Sequence, residues 1–150
     1  MASHVREQIA SAVLTALTGL ATTGANVFRD RDTEGNPLQA AELPGLVLVD
    51  DGDPSEVVTL GNSRALERKL ALSIDAYVKA GSGAGTTLNQ ILKEVEVALA
   101  AAPLGGAKSA NLAEVAAREA SESAETPTLR QRFTFQLTYY TFHDAPDVAL

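Results

Sequence analysis

The stretch Leu66-Glu67-Arg68-Lys69-Leu70-Ala71-Leu72-Ser73-Ile74-Asp75-Ala76-Tyr77-Val78-Lys79 alternates apolar and polar residues almost without a break. Leu66, Leu70, Leu72, Ile74, Ala76 and Val78 share one parity, interrupted only by Arg68, while Glu67, Lys69, Ser73, Asp75 and Lys79 take the other. Leu129–Phe142 repeats the pattern: Leu129, Phe133, Phe135, Leu137 and Tyr139 oppose Arg130, Arg132, Thr134, Gln136 and Thr138. Period two predicts strands with one set buried and the other wet. At ~3.3 Å per residue, Leu66–Lys79 reaches roughly 45 Å. A globule of this size is only about 40 Å across. Such strands must bend or project toward another subunit, which favours an assembly part over an enzyme.

Outward from these strands, Val5–Leu20 reads as a helix, with Val5, Ile9, Val13, Ala16, Leu17 and Leu20 at helical spacing and Gly19 and Gly24 near its end. Asn26–Arg29 reads as a short strand and Asp30–Pro44 as a charged, glycine-containing loop. Leu46–Val49, between Pro44-Gly45 and Asp51-Gly52, is a buried strand, and Glu56–Leu60 adds a short one. Gly81–Gly85 is a pliant connector into a second helix, Leu88–Ala102, with Leu88, Ile91, Leu92, Val95 and Leu99 inward. Thr87 and Gln90 stand at capping-box spacing, and Pro103 with Gly105-Gly106 ends the helix. Alanine content in Asn111–Ser121 suits a helix, but Leu112, Val115 and the serines suit an edge strand, and we read a strand. The expected fold is α+β: one domain over residues 1–150, mainly antiparallel, with long bent strands and two helices packed on one face of the sheet.

Composition narrows the function. The chain has 150 residues, enough to bury roughly 70% of its unfolded surface. A net charge of −7 argues against a general nucleic-acid binder, which needs a basic face. No cysteine is present, which removes disulfides, thiolate zinc sites and cysteine nucleophiles. The first residues lack a signal-peptide apolar run and no window is apolar enough to span a membrane, so a soluble product of the cytoplasm is expected.

Candidate sites of chemistry are weak. Gly81-Ser82-Gly83-Ala84-Gly85-Thr86-Thr87 precedes a helix, as a phosphate cradle would, but carries no lysine and has threonine where a dinucleotide loop needs its third glycine. Asp30, Asp32 and Gly35 begin like a calcium loop, whose twelfth position is Ala41 rather than glutamate. Asp50, Asp51, Asp53 and Glu56 have no metal-fixing spacing. His143-Asp144 lacks a nearby second histidine and a nucleophile turn. No catalytic, cofactor or metal residue is assigned.

Contact residues are better supported. Arg130 and Arg132 begin one long strand, and Arg64, Arg68 and Lys69 begin the other. They suit two neighbouring basic strand ends that bind phosphate or an acidic partner, or gatekeepers of exposed edges. Thr134, Gln136, Thr138 and Tyr140 form a polar but uncharged row, the composition of a face covered by another subunit. The acidic segments Asp30–Glu34 and Asp50–Glu56 are expected to order on docking.

The opening helix, the phrase Glu42-Leu43-Pro44-Gly45-Leu46-Val47-Leu48-Val49, the strand Leu70–Val78, the helix Leu88–Leu99 and the closing Phe133-Thr134-Phe135-Gln136-Leu137-Thr138-Tyr139 follow one another in an order that resembles the tail terminator (tail completion) proteins of long-tailed bacteriophages and prophages. The resemblance covers nearly the full chain and rests on element order and soft motifs. It implies a virion protein, assembled in the host cytoplasm, that forms a homohexameric ring on the head-proximal end of the tail tube. That ring would stop tube polymerisation and meet the head–neck connector protein, with no cofactor, membrane or direct nucleic-acid binding beyond DNA passing through. Another phage neck or tail-tube component, or a small ligand-binding α+β domain, are the alternatives.

Overall fold

The structure is a computed structural model and describes residues 2–59, 61, 64–121 and 126–150. Along the chain, α1 (Val5–Leu17), β1 (Val27–Arg29), β2 (Gly45–Gly52), β3 (Ser55–Val57), β4 (Ala65–Lys79), α2 (Ala84–Ala101), β5 (Ser109–Val115), β6 (Glu119–Ser121) and β7 (Thr128–Phe142) follow in order, with a 3-10 turn at Ala40–Glu42. The two stretches that alternate in sequence are β4 and β7. They pair antiparallel from Ala65↔Phe142 to Lys79↔Thr128 and form the centre of the sheet. The path runs β1-β2-β4-β7-β5, with β3 beside β4 and β6 beside β7. On one side β2 and β3 share the length of β4, and on the other β5 and β6 share the length of β7. Only β1 and β2 run parallel among the described strands. The fold is α+β.

Parity decides the core. Leu70, Leu72, Ile74, Ala76 and Val78 of β4 and Phe133, Phe135, Leu137 and Tyr139 of β7 are buried against Val5, Ile9, Val13 and Leu17 of α1 and Leu88, Ile91, Val95 and Leu99 of α2. Both helices therefore cover one face, as the spacing predicts. Gly105 lets the chain after α2 approach α1, since a Cβ there would lie 2.6 Å from the Gln8 carbonyl oxygen.

Several boundaries differ from the sequence expectation. The first helix stops at Leu17, where Thr18 turns extended and hands its N–H to Leu14 and Thr15. The second begins at Ala84, because Gly83 takes a left-handed φ of 82° and breaks the backbone direction there. Thr87 consequently lies inside the helix and its hydroxyl donates back to the Gly83 carbonyl, so the expected Thr87–Gln90 capping box does not form. The segment read as Glu56–Leu60 is β3 at Ser55–Val57, and Leu60 lies outside the described residues. Asn111–Ser121 is strand in two pieces, with a bulge between Leu112 and Glu114.

Candidate functional site

The face of the sheet turned away from the helices is not uniformly wet. At its Lys79/Thr128 end, Leu38 from the long loop covers Val47 and Tyr77, with Phe28, Leu43 and Val49 around them. Next to this second cluster, Asp75 sits buried in the middle of β4. Arg132, opposite it in register, holds it in two parallel bonds of 2.7 and 3.0 Å, and Arg130 adds a contact at 3.7 Å. The bonds to Asp75 raise the Arg132 pKa, outweighing the opposing effect of burial. Burial pulls Arg130 down, but Glu119 and Asp75 more than offset it. Ser73, also expected in solvent, is buried and donates to Asp51. Sequence parity alone misses both, since it cannot tell a solvated carboxylate from one whose cation arrives on the neighbouring strand.

Beyond Ser73 the same face opens. Thr134, Gln136, Thr138 and Tyr140 are half-buried along β7, with Ser109 and Asn111 of β5 beside Thr138 and Gln136, and Lys69 and Ala71 of β4 on the other side. Thr134 contacts Ser73 and Tyr140 donates to Glu67. The side chains at its middle, Gln136, Asn111 and Ala71, are uncharged, with Lys69 beside Thr138 and Glu114 beside Thr134 at its borders.

The basic residues do not form the joint patch expected of them. Because β4 and β7 are antiparallel, Arg68 lies opposite Tyr139 whereas Arg130 lies opposite Tyr77. The two groups are thus at opposite ends of the central pair, roughly 30 Å apart by strand rise. Both strands are interior, so Arg68, Lys69, Arg130 and Arg132 guard no edge, and Arg64 stands just before β4. Arg68 is on the helix-facing parity. It binds Asp53 at 2.9 Å and lies over the Tyr139 ring, 5.4 Å from its centroid. Tyr139 donates to the same carboxylate at 2.5 Å, and burial followed by that bond pushes the phenol well above its ordinary range. Arg64 donates its backbone N–H to His143 Nδ1.

The acidic residues are likewise dispersed onto separate partners. Asp50 meets Arg6 and Arg29, each at 3.7 Å, and Arg29 makes a two-pronged pair with Glu7. Asp51 goes to Ser73 and Asp53 to Arg68 and Tyr139. In the calcium-like segment, Asp32 accepts from the N–H groups of Glu34 and Gly35, and Asp30 lies 3.7 Å from Arg29. Arg31 ties the loop together by binding Glu42, the Asn36 and Pro37 carbonyls and the Asn36 side chain. That pairing, with the Gln39 N–H, holds Glu42 at about 2. Among the described residues no cluster of three or more His, Asp or Glu side chains is arranged to hold a metal ion, and no helix is long and apolar enough to cross a membrane.

A cavity of about 220 Å³ opens between the long loop and the start of β7, lined by Thr33, Glu34, Leu38, Tyr77, Glu119 and Arg130. Its polar groups are largely used on one another: Tyr77 donates to Thr33, and Arg130 binds Glu119. Among the described residues the large apolar side chains left exposed are Val57 and Val58 at β3, Phe142 at the end of β7, Val97 on α2, Val115, Val148 and Leu150.

No protein-family model matches the chain, and no curated protein matches it. Among solved structures it is similar to a chain from the virion of a native gene transfer agent particle, at 17% identity over 90% of this chain and 92% of that one, with a TM-score of 0.35. A superposition of that quality carries no argument about function.

Proposed function

We propose that this chain is a structural subunit of a phage-type tail, and specifically a tail terminator: a ring that ends the tail tube and receives the head–neck connector. The observation that carries the reading is the contrast across β4 and β7. One face is sealed by α1 and α2, while the other presents Thr134, Gln136, Thr138, Ser109 and Asn111 as an uncharged, half-open pleat. Interface cores are depleted in charge, and a face of this kind loses little when water is displaced from it. In a closed ring it would meet a different patch of the next subunit, because cyclic symmetry of more than two copies requires heterologous contacts. The exposed Val57, Val58 and Phe142 at the far end of the central strands suit contact with a second protein. Asp30, Asp32, Asp50, Asp51 and Asp53, with Arg68, Arg130 and Arg132, then act chiefly by shaping the subunit through the contacts described above, and Arg64 remains exposed beside the start of β4.

The deciding experiment is removal of the gene from its phage or prophage. Tails of uncontrolled length that fail to join heads are expected in electron micrographs. Tails of normal length on infectious particles would end the proposal. Purified protein that polymerises into tubes rather than closing into rings would instead identify a tail-tube component.

A further inference from the structure

His4 is held between two hydrogen-bond donors. As the cap of α1, its Nδ1 accepts the Arg6 backbone N–H at 3.0 Å. On the other side of the ring, Nε2 lies 3.0 Å from Arg68 Nη1. A guanidinium can only donate, and a neutral imidazole has a single nitrogen lone pair to offer. With its proton on Nε2 the ring caps the helix and turns that proton toward Arg68; with the proton on Nδ1 the conflict moves to Arg6. A second proton leaves no acceptor and places a cation between Arg6 and Arg68.

The charged groups around the ring are Arg6 of α1, Arg68 of β4, Asp53 of the β2–β3 turn and Asp147 of the C-terminal segment. Arg68 and the Tyr139 hydroxyl from β7 both bind one oxygen of Asp53, Oδ2, and the attraction of Asp53 for a protonated His4 is outweighed by burial and Arg68. The first turn of α1 also anchors the C-terminal segment. Val5 N–H donates to the Pro146 carbonyl at 2.8 Å and Gln8 Nε2 to that of Asp147 at 2.9 Å, while Leu150 N–H reaches the Tyr140 carbonyl at 2.9 Å.

We infer that His4 is an acid-sensitive latch: protonation expels the ring from between Arg6 and Arg68, loosens the first turn of α1, and frees residues 143–150 from the helix. Burial first, and the neighbouring Arg68 second, hold His4 below its ordinary value, so the neutral ring is the folded form. Its contribution is complete above the unfolded value of about 6.5 and is lost as pH falls from there toward the lower folded value. Opening would withdraw Ala149 from the core cluster it packs against.

Amide hydrogen exchange at about pH 7.5 and about pH 5, corrected for intrinsic rates, tests this on the full chain. The N–H groups of Val5, Arg6 and Leu150 should lose about tenfold protection in acid, while Ile91 and Leu92 in α2 keep theirs. His4→Asn, which retains a capping oxygen but cannot titrate, should abolish the loss, and His143→Asn should behave as the unaltered chain. The latch is excluded if His4→Asn opens equally, if the unaltered chain does not open, if α2 loses protection in parallel, or if His143→Asn removes the effect.

Discussion

The two faces of β4 and β7 are made by the same residues taken alternately, yet they are held by different physics. The helix-facing side is an apolar layer in which Leu72, Ile74, Phe133 and Phe135 are buried against two helices. On the other side Asp75 and Ser73 are buried too, but through Arg132, Arg130 and Asp51, and only part of the area is covered. Alternation in sequence therefore marks which face is apolar and not which face is dry. A buried apolar side chain needs only neighbours of suitable volume, whereas a buried carboxylate needs a specific cation.

The strongest challenge to this contrast is Leu72→Asp. A charge without a partner in the helix-facing layer should cost several kcal/mol or abolish folding, as read by urea or thermal denaturation. A cooperative transition at nearly the original midpoint would show that the layer is not the core. Asp75→Asn should come next. It leaves Arg132 and Arg130 without their shared anion, and breaking a fully buried pair costs about 3–5 kcal/mol. Arg132 is partly exposed, so about 2–3 kcal/mol is the expected loss in chemical denaturation. Equal stability would mean that this face is organised by Tyr77 and Leu38 rather than by charge.

The effects shrink farther from the centre. Glu42, held near 2 by Arg31 and the Gln39 N–H, contributes stability at pH above its unfolded value of 4.5 and loses it as pH falls toward 2. Arg31→Gln should flatten that acid limb, and an NMR titration of the Glu42 carboxyl should move up toward its ordinary value. A Glu42 titration unchanged by Arg31→Gln would remove the pairing as its cause. Lys69→Asp, on the open face and exposed, should change stability by no more than about 0.5 kcal/mol. Gln136→Arg should be equally mild in the isolated chain and yet prevent closure of the proposed ring, seen by native mass spectrometry. Rings of unchanged size from that variant would show that this pleat is not the subunit contact.

Much of the architecture is legible in the sequence because apolar period is local. The helix at Leu88–Ala102 and both long strands follow from spacing alone. What is not legible depends on register. Arg68 and Arg130 both stand near the start of a strand, and only antiparallel pairing separates them by most of the sheet's length. Asp75 reads as a solvated residue until Arg132 is placed opposite it. The start of α2 was obscured for a different reason: Ala84-Gly85 resembles connector, and the left-handed turn at Gly83 that begins the helix has no side chain to announce it. His4 as a cap, and its meeting with Arg68, join residues far apart in the chain, beyond the reach of any local pattern.

The pairing of β4 with β7 also bears on how the molecule is made. Its closest partners, Lys79 and Thr128, are separated by about fifty residues of chain, and the separation grows toward Ala65 and Phe142. The central pair therefore cannot begin to zip until α2, β5 and β6 have emerged, and each further rung waits on the one before it. Until then β4 can pair only along the edge it shares with β2 and β3, and its other edge stays open, a template for pairing with other copies of itself. High contact order of this kind slows folding. The long central pair thus makes the nascent chain the most vulnerable form of the molecule.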